Sequence, residues 1–257
     1  MGMKLKLLSL PAVLLCAAAF GQVKTIGIIG LDTSHSTAFT ELLNSDSDDP
    51  YAREFEVVAA YPYGSRVIES SYKRIPAYTE EVKKHGVEIV GSIAELCAKV
   101  DFVLLETNDG HPHLEQALEV FKAGKTCFID KPVGATLGET IAIYELAEKY
   151  GIPVFSSSAL RVSPRNAELR SGACGSILGA DCYSPHHAEP THPDFGFYGI
   201  HGVETLYTLL GAGCESVTRT SSPDGDVVTG LWNDGRIGTF RAVVKGPNVY
   251  GGTAITE

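Results

Sequence analysis

Two residues stand where an acid–base reaction could be run. Lys131 lies in Asp130-Lys131-Pro132, directly after the short apolar run 126–129. A lysine at the end of a buried strand has its pKa lowered by burial or by a neighbouring cation, as a general base requires. The competing reading is a solvated loop lysine. His201 lies in Tyr198-Gly199-Ile200-His201, at the start of an apolar helical segment. An imidazole there can transfer protons near neutral pH, or it can simply cap or fill a core. Phe195, Phe197 and Tyr198 flank it and suit stacking on a sugar ring, although such residues also build cores. Further imidazoles gather at His111, His113, His186, His187 and His192, with Asp32, Asp109, Glu189 and Asp194 as acids. No two of them have the spacing of ligands on one helix, so no metal site is expected.

The elements that must position these residues alternate. Residues 23–30 (VKTIGIIG), 55–60, 101–107 (DFVLLET), 126–129 and 153–156 are short apolar runs of the kind that form buried parallel strands. Helical patterns fall between them at 36–43, 78–85, 92–98, 112–123 and 137–150. Ser34 or Ser36 serves as a first N-cap, Ser92 with Glu95 as a capping box, and Gly86, Gly124 and Gly151 as stops. Strand–helix alternation over about 130 residues predicts an α/β fold with a Rossmann-like doubly wound parallel sheet. Right-handed crossovers then bring every strand's C-terminal end to one ligand-binding edge. From about residue 171 the runs become short and β-rich (176–183, 215–221, 226–232, 236–243), with a hairpin turn at 233–235 and a helix at 203–210. This predicts a C-terminal α+β domain with a mainly antiparallel sheet. The expected organisation is a signal peptide at 1–21, the first domain at 22–158 and the second at 159–257, whose last strand suggests that it is incomplete.

The 257 residues carry a formal charge of -10, which argues against nucleic acid or anionic membrane as partners. Lys4 and Lys6 precede an apolar stretch from Leu7 to Phe20 that is short for a membrane span. Small residues near Gly21 suit cleavage by signal peptidase. A periplasmic or secreted chain with no membrane span after cleavage is expected. No Arg-Arg pair precedes the stretch, so export unfolded, without a bound cofactor, is expected. The five later cysteines show no CxxC spacing and predict no disulfide framework, leaving one bridge such as Cys174–Cys182 open.

Three stretches carry a resemblance: Thr107 to Pro132 (TNDGHPHLEQALEVFKAGKTCFIDKP), the opening strand and turn from Ile26, and Tyr198 to Leu206 (YGIHGVETL). Together they resemble the glucose–fructose oxidoreductase/inositol dehydrogenase (Gfo/Idh/MocA) family. The resemblance implies that Lys131, matching the lysine of E-K-P, sits beside a nicotinamide and a reacting hydroxyl, and that Asp130 stands where the Glu would be. It implies that His201 is a proton-transfer group or substrate ligand. Gly30, Thr33, Ser34, Thr107, Asn108, His113 and Asp130 fall at cofactor-binding positions, with NAD or NADP as cofactor and a sugar or polyol as substrate. The turn departs from the family's G-x-G-x-x-G: it reads Gly30-Leu31-Asp32-Thr33-Ser34-His35, with Asp32 and His35 at the other two glycine positions. A carboxylate at Asp32 would meet a diphosphate as a like charge. No acid follows Ala60, whereas Ser65 and Arg66 could receive a 2′-phosphate, and Phe197 stands for the family's Asp. Three functions are therefore carried forward: an exported NAD(P)-dependent sugar or polyol oxidoreductase, a cofactor-free carbohydrate-binding protein on the same scaffold, and a lyase or hydrolase using the Lys131/His201 cleft. A homo-oligomer is expected. A turn with open amides favours nucleotide, and a turn filled by Asp32 and His35 disfavours it.

Overall fold

A computed structural model describes residues 23–257, so the leader expected at 1–21 lies outside the described residues. The first half of the chain runs β1 (Lys24–Ile29), α1 (Ser34–Asn44), β2 (Phe55–Tyr61), α2 (Glu69–Tyr72), α3 (Ile75–Lys84), β3 (Glu88–Ile89), α4 (Ile93–Cys97), β4 (Phe102–Leu105), α5 (His113–Lys122), β5 (Thr126–Ile129), α6 (Leu137–Tyr150) and β6 (Val154–Phe155). Its six strands form one parallel sheet in the order β3-β2-β1-β4-β5-β6. The order reverses between β1 and β4, the switch point at which open α/β sheets hold ligands.

Local chemistry explains these elements. β1 is buried from Ile26 onward and β4 at Val103 and Leu105, because helices cover both faces of the sheet. On one face Ile29, Val103, Leu105, Ile129, Leu96, Phe121 and Ile143 pack together, and on the other Ile28, Val57, Ala60 and Val82. Helix α6 has the expected bounds: Thr136 and Glu139 form a capping box and Gly151 closes it in the left-handed conformation. Helix α1 begins at Ser34 with Thr33 as its cap, two residues earlier than the pattern suggests.

The second half runs α7 (Pro164–Arg170), β7 (Ile177–Pro185), α8 (Ile200–Leu210), β8 (Cys214–Ser222), β9 (Gly225–Trp232), β10 (Ile237–Val243) and β11 (Gly251–Thr256). A five-stranded sheet forms in the order β11-β7-β10-β9-β8, antiparallel except between β7 and β10. Helix α8 covers one face with Leu206, Leu209 and Leu210 against Trp232, Phe240 and Ala242. It starts at Ile200, three residues before the expected start, and so carries His201 in its first turn. All five described cysteines are free; the Cys174–Cys182 bridge left open by the sequence does not form. Among the described residues no helix is long and apolar enough to cross a membrane.

Gly30 ends β1 with φ +98°, and a Cβ there would meet the Thr107 backbone nitrogen at 2.4 Å. Glycine thus sets how closely the loops after β1 and β4 approach. Gly30→Ala is expected to lower stability by about 1–3 kcal/mol from backbone strain alone, read as an earlier midpoint in urea; an unchanged midpoint would show that the two loops separate freely.

Candidate functional site

Loops after β1, β4, β5 and β6 meet α8 around a cleft of about 560 Å³. Lys131 and His201 both line it, as do Thr33, Ser34, His35 and Asn108. The two residues singled out for acid–base chemistry therefore share one cavity at the strand-end edge. The Lys131 side chain enters from the loop after β5. The residue is only 8% exposed, and among the described residues its Nζ makes no hydrogen bond or ion pair.

Charge around Lys131 is layered. Asp130 is buried, its Oδ1 accepts from the Lys131 backbone N–H at 2.8 Å, and its Oδ2 accepts from His35 Nδ1 at 2.7 Å. Burial pushes the Asp130 carboxyl up, but the His35 hydrogen bond and the Lys131 charge pull it further down, so it stays ionised. Beneath it Glu106 is fully buried and neither carboxylate oxygen has a hydrogen-bond partner. Burial, then the charge of Asp130, hold Glu106 well above the usual carboxylate range. His35, Glu106 and Asp130 place donor atoms within 4.8 Å of one another. His35 and Asp130 bond each other directly.

His201 is the opposite case. Burial, then the nearby Lys131 charge, lower its pKa to about 4, so the ring is neutral at pH 7. Its Nδ1 bonds Ser158 Oγ at 2.8 Å, which fixes the ring and leaves Nε2 for a ligand. Tyr198 and Tyr250 stand edge-on to the imidazole with centroids 5.6 and 5.7 Å away, and both line the cleft with Phe197. Phe195 instead packs on Phe240 in the core of the second sheet.

The turn after β1 is filled. Asp32 is 0% exposed; its Oδ2 accepts from the Ser65 N–H at 2.8 Å and its Oδ1 from the Asn108 N–H at 3.0 Å. Ser65 Oγ donates to Asp109 at 2.7 Å, Asn108 Nδ2 donates to Ser71 Oγ at 2.7 Å, and the Leu31 N–H reaches Tyr63 O at 2.8 Å. Residues 63–71 are thereby strapped across the end of β1 to the loop after β4, over the switch point. The like-charge clash expected at Asp32 is replaced by something different: the carboxylate turns inward and takes amides of both neighbouring loops. His35, at the third glycine position, reaches across to Asp130. A dinucleotide with its diphosphate over this turn does not fit the residues present.

The remaining expected positions divide. Thr33 caps α1 and Ser34 opens on the cleft. Thr107 is buried with Oγ1 unpartnered. His113 is fully buried and does not line the cleft; its nitrogens lie 2.7 Å from Thr107 O and 3.1 Å from Val133 O, and burial lowers its pKa. Ser65 is consumed by the strap, and Arg66 stacks on Tyr63. His111 and His192 tie loops together: His111 bonds Glu139 and Thr191 O, and His192 Nε2 accepts from the Gly110 N–H. Sequence reasoning missed Glu106, Ser70, Arg74, Ser158 and Tyr250, and it named His187 only within a histidine cluster. Only Glu106 had a signal, as an acid at the end of a buried apolar run.

Burial raises the Asp32 pKa to about 6 despite its two amide bonds. A carboxyl raised above its unfolded value of about 3.9 stabilises the fold fully below that value, and the contribution is lost as pH rises through the folded pKa. The stability advantage of wild type over Asp32→Asn should therefore shrink between pH 4 and 7, by roughly 2–3 kcal/mol at about 1.4 kcal/mol per unit. Urea unfolding of both proteins at four pH values reads this. A constant difference would mean that Asp32 is ionised in the native state throughout.

Comparison with known proteins places this geometry. Residues 24–157, more than half the chain, match the model of the Gfo/Idh/MocA oxidoreductase family with its NAD-binding Rossmann fold. Among curated proteins none matches the chain in sequence. Solved structures share the fold at low identity. The UDP-N-acetylglucosamine 3-dehydrogenase GnnA from Acidithiobacillus ferrooxidans is 17% identical with a TM-score of 0.71, over 91% of this chain and 74% of that one. GenD2 from gentamicin A biosynthesis, in complex with NAD, is 18% identical with a TM-score of 0.70, over 91% and 69%. An NAD-binding protein from Listeria innocua is 19% identical with a TM-score of 0.67, over 90% and 71%. By its sheet order, its strand-end cleft and this family match, the chain belongs to the Gfo/Idh/MocA oxidoreductase family.

Proposed function

We propose that the Lys131–His201 cleft binds a sugar or polyol and, where the bound sugar carries a carbonyl in its open-chain form, moves a proton at the hydroxyl-bearing carbon beside it. The observation that carries this is a buried, unpartnered lysine beside a neutral histidine in one cavity. Lys131 Nζ donates to the carbonyl oxygen, which takes up the negative charge as the neighbouring carbon loses its proton. His201, held by Ser158, uses Nε2 to take or return the proton. Phe197, Tyr198 and Tyr250 offer ring faces and edges to the apolar side of a sugar. The leader supports action in the periplasm or outside the cell. Exposed Ile255, Ile237 and Leu231 lie in register across the outer face of the second sheet and support a homo-oligomer, which sedimentation of Ile237→Glu would test.

A second reading is favoured by the family match over residues 24–157: dehydrogenation of the same carbinol carbon with NAD or NADP. Bound, the nicotinamide would supply a hydride acceptor. The filled turn at Asp32 and His35 speaks against that pose, and the first reading does without it.

Thermal melting separates the two. At least one sugar or polyol should raise the melting temperature, and millimolar NAD(H) or NADP(H) should not. Lys131→Met and His201→Ala should melt near wild type yet lose the sugar-dependent rise. Deuterium exchange from solvent into the bound sugar should fall by about 10²–10⁴. A rise with nucleotide would establish the second reading; silence across a broad glycan panel would remove both.

A further inference from the structure

The charge on the cleft wall is one-sided. Lys131 and Arg74 both line it, together with His35, His187 and His201, and among the described residues no Asp or Glu does. This is unusual for a chain of formal charge -10. The nearby acids are already committed: Asp130 to His35, Asp32 to the strap, and Glu204 to Arg161 and the Ser158 N–H. Arg74 is exposed and, among the described residues, has no ion-pair partner. Helix α1, eleven residues long, points its N-terminus at the same space through Thr33 and Ser34, and its first turn holds no acid. Thr33 takes the His35 and Ser36 amides, so what α1 offers an anion is the positive end of its dipole and the Ser34 hydroxyl. Lys131 supplies an independent sign: a cation more than nine-tenths buried, aimed into the cavity, with no partner of its own. Buried cations normally find an anion, and among the described residues Asp130 acts on Lys131 only through space, without an ion pair.

We propose that the substrate is acidic: a monosaccharide or sugar acid whose anionic group, carboxylate or phosphate, lies between Arg74, Ser70 and the start of α1. Its ring lies against Tyr198, Phe197 and Tyr250, and one hydroxyl-bearing carbon faces Lys131 and His201. This rests on the cleft being the substrate site. In filling the turn, Asp32 takes the amides of Ser65 and Asn108 and leaves the start of α1 to the substrate.

Calorimetric titration of the full chain would use three arms: glucuronate and gluconate, glucose 6-phosphate, and neutral glucose and myo-inositol. Sodium acetate and inorganic phosphate serve as anion controls. At least one acidic arm should bind tenfold or more tighter than the neutral arm and weaken severalfold between 50 and 500 mM NaCl. The tighter acidic arm identifies carboxylate or phosphate as the anion. Arg74→Gln should abolish the preference for the acidic arm while leaving the melting temperature unchanged. Equal or tighter binding of neutral sugars overturns the acidic substrate and leaves the cleft assignment standing. So does a preference that survives in Arg74→Gln, or anion controls that bind as tightly as the acidic sugars. Silence in every arm overturns both.

Discussion

The carboxylate of Asp32 organises the ligand edge of this molecule. Three loops that owe nothing to one another in sequence converge there: the turn after β1, the strap after β2 and the loop after β4. One side chain holds them by accepting a backbone N–H from each of the latter two. Nothing else in the turn could do this, because Gly30 has no side chain and Leu31 is buried in the core. Burial makes the arrangement sensitive to protonation, and the amide bonds offset only part of the cost of taking a carboxylate out of water. With the loops fixed, the cavity acquires definite walls: Ser70 and Arg74 on one side, Lys131 beyond, and His201 opposite on α8.

Electrostatics inside those walls follow from depth. Glu106 is fully buried and its pKa is driven up; Asp130, also buried, is pulled down by His35 and Lys131; His201 is pushed down by burial and by the Lys131 charge and stays neutral. The order runs from the raised acid to the lowered one, then to the lysine and the imidazole. Each step is set by its neighbour, so no single group can be removed without changing the others. The positive end of this series is the end that opens on the cleft.

Much of the fold could be read from the chain because periodicity and punctuation are local. The run DFVLLET yields β4, and the segment ending in Gly151 yields α6 with its own bounds. Short pieces with no period escaped: the two-residue β3, the single turn of α2 inside the strap, and α7. The parallel pairing of β7 with β10 is a matter of topology that strand patterns do not carry. At the site, Lys131 and His201 were legible from their places at a strand end and a helix start. The role of Asp32 was not, because its partners lie 33 and 76 residues away. Read locally, it was a carboxylate intruding on a glycine position. Arg74 and Tyr250 sit in segments whose own sequence gives no hint that they fold over the cleft.

The strap also constrains how the sequence can change. Restoring glycine at position 32 would remove the acceptor of two buried amides at once, each left unpaired at a cost of about 1–3 kcal/mol. It would also open a void against Gly64, which packs directly on the Asp32 side chain. The glycine of the family's fingerprint is thus the damaging residue in this background. Installing it would require rebuilding residues 63–71 in the same step, because the turn and its strap are built as one unit.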